Sequence, residues 1–463
     1  MFFFRNKVIK YIWKEVSIAP LVVFRLFFGA LMCYSIIRFY LNGWIESNYI
    51  LPQFYFPLFD WQWVQPLSGN GMYIIFVVLG ISSFCICIGF LYRINTALFF
   101  LLFTYTELID KTYYLNHYYL VCLLSFWMML VNAHHHFSVD SLFFPKIKRK
   151  NVPQWQIVIF KLQLSIVYFF AGLGKVNTDW LFHAEPMRTW LPSKYQIPLL
   201  GKIVHYRTTA FLFSWMGCLY DLSIWFFLLL KKTRKLAYLA VIVFHVLTSI
   251  LFPQIGMFPY IMMVCTIIFF ATEWHEKVLS TIQKYYSKVF KKVTTVSSSS
   301  LELPKDIKLT FKLKLISLGL GLYVLLQLYL PFRYLYYPGN LLWHEQGFRF
   351  SWRVMLIEKA GTTAIIVEDP KTKKRKEVKQ CDHLTAFQQK QMSSQPDMIL
   401  QYVHFVGDQF LKEKGYKPQI FVKSNMKLNG RRSMPFINDT VDLYSLKNTY
   451  KNRTWVFPLA KRN

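Results

Sequence analysis

The chain has 463 residues, of which 54% are hydrophobic, 19% aromatic and only 17% charged, and its formal net charge is +30. Soluble globular proteins carry about 25% charged residues, so this composition excludes an ordinary soluble protein and indicates many membrane-spanning segments. The basic residues form short clusters beside apolar segments, which is the placement that membrane topology and anionic lipids produce, so we expect no nucleic-acid partner.

Nine apolar segments are predicted to be membrane helices. They lie near residues 21–39, 72–92, 95–109, 113–133, 155–173, 209–230, 235–252, 256–272 and 313–331. The first segment lacks a small-residue cleavage site, so we expect it to be retained as a span. The predicted fold class is a multi-span α-helical membrane protein with about nine transmembrane helices.

Four clusters of basic residues determine the predicted orientation. They lie before the first segment and after the fourth, sixth and eighth, and they begin at Arg5, Lys146, Lys231 and Lys284. If all nine segments cross the membrane, every cluster lies on one side, as the positive-inside rule requires. The chain beyond the last segment then lies outside the cytoplasm.

The sequence after Pro331 changes to a pattern of strands, turns and one amphipathic helix. Residues 348–354 and 363–367 have the composition of strands, and Asn429-Gly430 is a tight-turn signal. Asp397 precedes apolar residues at helical spacing and is predicted to cap that helix. Together these elements predict a C-terminal extramembrane α+β domain.

The chain therefore divides into two predicted domains. A transmembrane helical domain over residues 1–333 is expected to carry the active site, and an extracytoplasmic α+β domain over residues 334–463 is expected to bind substrate. The serines at 297–300 indicate a linker on the inner side before the last span.

A single lysine, Lys175, ends the apolar segment that begins near residue 155. One interpretation is a snorkelling side chain, whose ammonium reaches the lipid headgroups while its stem covers apolar surface. The other is a general base, because a lysine held in a desolvated pocket becomes a usable neutral amine near pH 7. Residue pattern alone leaves both open.

Two polar residues, Asn116 and His117, lie at the start of the fourth segment, on the same predicted side as Lys175. Each would be costly facing lipid, so both are expected to face the interior of the helix bundle. A hydrogen-bonded packing role for the histidine is the alternative to a catalytic one.

A third stretch, FPQIGMFPY at 252–260, joins the seventh and eighth segments. Its two prolines and glycine indicate broken, pocket-lining backbone, and His245 lies about two turns before it. An aromatic pocket with one amine and one imidazole suits an isoprenoid or quinone-like ligand from the bilayer. We expect no metal site, because His134–His136 has no carboxylate or cysteine beside it and no CxxC spacing occurs.

Three motifs in register resemble those of the vitamin K-dependent γ-glutamyl carboxylases and their bacterial relatives. They are LNHYYL at 115–120, AGLGKVNTDW at 171–180 and IGMFPY at 255–260. The resemblance continues more weakly through YLP at 329–331 and FSWRVM at 350–355.

This resemblance implies a reaction and a set of site residues. Lys175 would deprotonate vitamin K hydroquinone (reduced menaquinone or phylloquinone), O2 would give the 2,3-epoxide, and the alkoxide would deprotonate a glutamyl residue that adds CO2. His117 is the second implied catalytic residue. The implied cofactor-binding residues are Asn116, Met257 and Phe258, with His245 added from the pocket argument, and the implied peptide-binding residues are Ser351 and Trp352.

The implied partners are the lipid bilayer, a glutamate-containing peptide or protein, and a quinone reductase that recycles the epoxide. A single cysteine in the predicted outer domain, Cys381, favours a bacterial inner membrane as the location.

Alternative functions remain open from the sequence. Gly174 stands where animal members of the family have a second lysine, and the basic residues that bind a propeptide are not clearly matched, which favours a hydroquinone epoxidase with little or no carboxylation. An unrelated lipid or acyl-transfer enzyme would use His117 as its base. A transporter is less favoured, because no internal repeat is visible and the polar residues cluster at one membrane face.

Overall fold

The computed structural model describes residues 9–198, 201–289 and 310–462. Several predicted features lie outside these ranges: the basic residues Arg5 and Lys7, the end of the cluster that begins at Lys284, and the linker at 297–300.

Each of the nine apolar segments forms a helix. These helices are α1 (Ala19–Leu41), α2 (Gly71–Ile88), α3 (Tyr92–Ile109), α4 (Asn116–Leu130), α5 (Trp155–Lys175), α6 (Arg207–Leu229), α7 (Arg234–Leu251), α8 (Phe258–Cys265) and, after the amphipathic helix α9 (Thr272–Val289), α10 (Phe311–Phe332). Shorter helices span Trp44–Tyr49, Val139–Phe143, Thr178–His183, Met187–Trp190 and Leu341–His344.

Within the described ranges, six helices are long and apolar enough to cross a membrane, or seven if one bent pair is a single span. The six are α1, α2, α5, α6, α7 and α10. Helix α3 contains Arg93 and Glu107, α4 has only 15 residues, and α8 continues into a helix bent by 110°. The prediction of a multi-span helical protein is therefore confirmed, but the count of nine is not.

Several connections between helices meet at one end of the bundle. At this end, β1 (Glu15–Ser17) pairs antiparallel with β2 (Asn151–Pro153). At that same end the Asp140 carboxylate accepts hydrogen bonds from the backbone N–H groups of Leu91 (2.7 Å) and Tyr92 (2.9 Å). These contacts tie the start of α3 to the segment after α4, so the ends of these two helices alternate, as they do in a multi-span topology.

The C-terminal domain contains a four-stranded antiparallel sheet with the order β4-β3-β5-β6. Its elements are β3 (Lys359–Glu368), β4 (Arg375–Glu377), α11 (Ala386–Ser394), α12 (Pro396–Lys414), β5 (Gln419–Leu428) and β6 (Met434–Pro435). Alternate residues of β5 are buried against the helices, including Val422 and Met426, while Lys423 and Lys427 are exposed. This is the alternation expected of a sheet with one solvated face.

The α+β prediction for the C-terminal domain is correct in class and partly wrong in detail. Residues 348–354 form turns and not a strand, with Phe350 and Trp352 at φ of 64° and 60°. The Phe350 N–H donates to the Tyr114 hydroxyl (2.8 Å), so this backbone is held by the membrane domain and not by a neighbouring strand. Helix α12 begins at Pro396 with Gln395 as N-cap, so Asp397 is not the cap.

The C-terminal domain packs against the end of the bundle where α5 stops. Gln388 of α11 donates to the Phe54 carbonyl and to the Asp110 carboxylate, both at 2.8 Å. Arg431 forms an ion pair with Asp179 at 2.6 Å, just after α5. The domain therefore covers the end of the helix bundle that carries Lys175.

Candidate functional site

Lys175 lies at the last position of α5 and points into the protein. Its side chain is 7% exposed, and its Nζ donates to Asp221 Oδ2 at 2.6 Å and to the Ala171 carbonyl at 3.2 Å. The ammonium also lies 5.4 Å from the centre of a Trp180 ring, a favourable cation–π distance. The side chain therefore does not extend to the protein surface, as a snorkelling lysine would.

The apolar cavity beside Lys175 has a volume of about 150 Å³. It lies between α5, α6 and α7, and its wall includes Tyr168, Lys175, Trp180, Met187, Phe213, Met216, Gly217, Asp221, Phe244, Leu247, Thr248, Leu251, Phe258, Met262, Val354 and Met355. Met216 of α6 lines the cavity and is 61% exposed, so the cavity wall reaches the protein surface there.

A second, polar cavity of about 450 Å³ lies where the C-terminal domain meets the membrane domain. Asn116 and His117 line it from α4. Its charged wall residues among those described are Lys111, Arg349, Arg353, Lys359 and Lys390, against Glu345 and Glu358. The excess of cationic side chains suits an anionic ligand.

The two cavities share a wall made of Phe258, Val354 and Met355. The His117 ring lies 6.0 Å from the Phe258 ring on the polar side. Lys175 and His117, the two predicted catalytic residues, therefore face different cavities with Phe258 between them.

Ion pairs organise the charged wall of the polar cavity. Asp397 accepts from Arg349 (2.6 Å) and Lys111 (2.8 Å). Burial alone would raise the pKa of Asp397, but the two cations outweigh it and hold that pKa well below its usual range. Lys359 pairs with Glu345 at 2.7 Å, and burial lowers the pKa of Lys359 despite that partner.

Arg353 and Lys390 are the wall cations that form no ion pair in the described part of the chain, and Lys390 is exposed at the rim. The Arg353 guanidinium stacks 4.5 Å from the centre of the Tyr334 ring, and its Nε has no hydrogen-bond partner among the described residues. Its backbone carbonyl accepts from Asn116 Nδ2 at 2.7 Å. Asn116 thus positions the segment that brings Arg353 to the cavity wall.

His245 and Met257, two predicted cofactor-binding residues, lie behind the cavity walls. The Nε2 atom of His245 is 3.1 Å from the Tyr168 hydroxyl, and Tyr168 lines the apolar cavity. The Nδ1 atom of His245 has no partner among the described residues. Met257 is 2% exposed and is packed in the core beside Phe258.

Ser351 and Trp352, the predicted peptide-binding residues, are both buried and line neither cavity. The Ser351 hydroxyl donates to the Phe348 carbonyl, and Trp352 stacks on Tyr119 with ring centres 4.8 Å apart. In this structure the residues that follow them, from Arg353 to Lys359, form the cavity walls.

Sequence reasoning missed Asp221 as a partner of Lys175. The signal was available, since a carboxylate inside an apolar membrane segment is by default a candidate for a functional role. Arg353 lies within the FSWRVM motif, but its position there does not by itself indicate a role in the site.

Two family models match the chain. The HTTM domain model matches residues 13–274, which is more than half of the chain. The model of the vitamin K-dependent gamma-carboxylase lumenal domain matches residues 312–462. No solved structure matches the chain. The first range contains Lys175, His117 and Asp221, and the second contains Arg353 and the shared wall residues Val354 and Met355.

Proposed function

We propose, from the premise that this chain belongs to the vitamin K-dependent gamma-carboxylase family, that it couples epoxidation of a reduced vitamin K to carboxylation of glutamyl residues. The observation that carries the proposal is one buried amine, Lys175, in the wall of an apolar cavity that adjoins a cationic one.

The apolar cavity fits a quinone-type ring. Its wall is almost entirely aliphatic and aromatic, and Lys175 and Asp221 are the ionisable pair in it. The opening at Met216 suits a ligand with an isoprenoid tail, such as reduced menaquinone or phylloquinone, that reaches the site from the bilayer.

The residues of the chain would divide the chemistry between the two cavities. Lys175 would accept a phenolic proton at Nζ, and the apolar wall would exclude water. A hydroquinone held there would supply, on reaction with O2, the strong base needed to remove a glutamyl γ-proton, with the 2,3-epoxide as its product.

The polar cavity would hold the glutamyl side chain. Its cations suit the carboxylate, and His117 lies at its membrane end, where its Nε2 has no hydrogen-bond partner among the described residues. His117 would assist the proton or CO2 steps at the γ-carbon, which gives the enzyme its lyase-type carboxylation. A separate quinone reductase would regenerate the hydroquinone.

For the topology, we propose that all nine apolar helices cross the membrane and that the C-terminal domain lies outside the cytoplasm. The alternating helix ends and the basic clusters support this arrangement. The location that we favour is a bacterial inner membrane.

The test uses purified protein in nanodiscs with reduced vitamin K, O2 and labelled bicarbonate. Epoxide is followed by chromatography and label by incorporation into a glutamyl peptide. We expect both products from the wild type, neither from Lys175→Ala, and both from Lys202→Ala, a control lysine exposed on the loop between α5 and α6. Full epoxide formation by Lys175→Ala would overturn the assigned role.

A second candidate function is hydroquinone epoxidation without carboxylation. Gly174 favours it, since an added Cβ there would lie 3.2 Å from Arg353 Cγ and from Leu356 Cδ1, so this chain has no room for a second lysine beside Lys175 without a shift of those neighbours. Epoxide without peptide label would establish this alternative.

A further inference from the structure

Lys175 and Asp221 form a buried ion pair. Their side chains are 7% and 8% exposed, and the Nζ to Oδ2 distance is 2.6 Å. An isolated charge at this depth would be strongly unfavourable, and a paired one is tolerated when the geometry is good. Among the described residues, Asp221 supplies the one carboxylate that forms an ion pair with Lys175.

The close approach of α5 and α6 makes this pair possible. A Cβ at Gly172 would lie only 2.6 Å from the backbone nitrogen of Leu222, so a larger residue would push the two helices apart. The Cys218 thiol also contacts the Gly172 carbonyl, at 3.8 Å. Small residues thus bring the backbone of α6 against α5 one turn before Lys175, as in other closely packed membrane helices.

The chemistry of a lysine base explains what such a carboxylate would do. When a phenolic O–H bond of the hydroquinone breaks and its proton goes to the neutral amine of Lys175, the N–H bond that forms leaves an ammonium beside Asp221 and a phenolate in the apolar cavity. Besides Asp221, Nζ contacts the Ala171 carbonyl and the Trp180 ring, and neither carries a formal negative charge. A fixed anion is needed to stabilise the charge where it develops.

We propose that Asp221 is the positioning residue that makes Lys175 an effective base. Its carboxylate holds Nζ at the wall of the apolar cavity. The pair must give up one proton before turnover, so that Lys175 meets the hydroquinone as a neutral amine, and Asp221 then stabilises the ammonium formed by proton transfer. This inference rests on the proposed function and goes beyond it by naming the group through which Lys175 acts.

The variant Asp221→Asn keeps the shape of the side chain and removes its charge. We expect kcat for epoxide formation to fall about 100-fold, with KM for the hydroquinone changed less than about threefold. Asp221→Glu should recover part of the rate. Ser223→Ala is the matched control, because that side chain is half-buried on the same helix and, among the described residues, its hydroxyl donates to the Leu219 carbonyl of α6.

A second measurement needs no hydroquinone. Phenyl isothiocyanate reacts with neutral amines, and mass spectrometry of the peptide that contains residue 175 reports its rate. In Asp221→Asn an ammonium without its counter-ion loses its proton more readily, so labelling of Lys175 should be at least about tenfold faster than in the wild type. Faster labelling together with slower epoxidation is a combination that loss of packing in the folded protein does not produce.

Unfolding temperatures of all variants are measured beside these rates, and Asp221→Glu replaces Asp221→Asn if the latter does not fold. In Asp221→Glu the carboxylate is retained, so phenyl isothiocyanate should label Lys175 as slowly as in the wild type. Unchanged labelling and unchanged kcat in a folded Asp221→Asn would overturn the inference. Because labelling is independent of turnover, a wild type that makes no epoxide would refute the proposed function while the labelling arm still decides the pairing.

Discussion

Asp397→Asn should weaken the attachment of the C-terminal domain to the membrane domain. Asp397 is buried at the start of α12 and accepts from Arg349 and from Lys111, which lies between α3 and α4. The amide keeps the volume but leaves two buried cations without their anion. Breaking a buried pair in this way costs about 3–5 kcal/mol. At several degrees per kcal/mol for a domain of this size, the unfolding temperature should fall by about 10 °C.

The assay is thermal unfolding of the purified protein in detergent, followed by tryptophan fluorescence. Asp408→Asn is the matched control, because Asp408 lies exposed on the same helix and only accepts from the Tyr444 hydroxyl at 2.9 Å. The control should unfold within about 2 °C of the wild type, since exposed substitutions change stability little. An Asp397→Asn variant as stable as this control would refute the reasoning.

The same pair predicts the direction of the pH dependence. The pKa of Asp397 is held well below its usual range in the folded protein. Its contribution is therefore fully present above the unfolded-state pKa of about 3.9 and is lost as the pH falls below that value toward the folded pKa. Asp397→Asn should accordingly lose less stability than the wild type between neutral pH and the acid range.

Two further predictions concern the cavities. Met216→Trp should narrow the opening of the apolar cavity. We expect KM to rise about tenfold for a hydroquinone with a long isoprenoid tail and to stay unchanged for one without a tail. Equal changes in KM for both hydroquinones would place the opening elsewhere. Arg353→Gln should raise KM for a glutamyl peptide about tenfold and leave epoxide formation without peptide unaltered. The control Lys390→Gln, at the exposed rim of the polar cavity, should change the peptide KM less than about twofold. An unchanged peptide KM in Arg353→Gln would exclude Arg353 from carboxylate binding.

The helices were predictable from the sequence because long apolar segments have few alternatives in a membrane. The number of helices that cross the membrane was not predictable. Whether a helix crosses depends on its exact length and continuity, and α4 has only 15 residues while α8 ends at Cys265. The turns at 348–354 were read as a strand because aromatic residues favour strands in isolation. Contacts with Tyr114 of the membrane domain decided the backbone there.

Single site residues were predictable from the sequence only where a polar or charged side chain lies within an apolar segment. Lys175 and His117 were predicted in this way, and Asp221 could have been. Their grouping was not predictable, because the Lys175 to Asp221 contact joins residues 46 apart and depends on how closely α6 approaches Gly172. Periodicity indicates which face of a helix is buried, but it does not identify the residue across the interface.

The separation into two cavities is consistent with the chemistry that each would hold. A strong base survives only where water and other acids are excluded, whereas a glutamyl carboxylate is bound only where cations are available. If Arg353 and Lys359 lay in the apolar cavity, their positive charges would compete with Lys175 for the Asp221 carboxylate. The shared wall keeps these groups apart, yet it is contributed by both parts of the chain: Phe258 comes from the membrane domain, and Val354 and Met355 come from the segment that continues into the C-terminal domain. Neither part alone therefore forms both cavities, and the contacts that hold the two parts together also set the distance between Lys175 and the polar cavity.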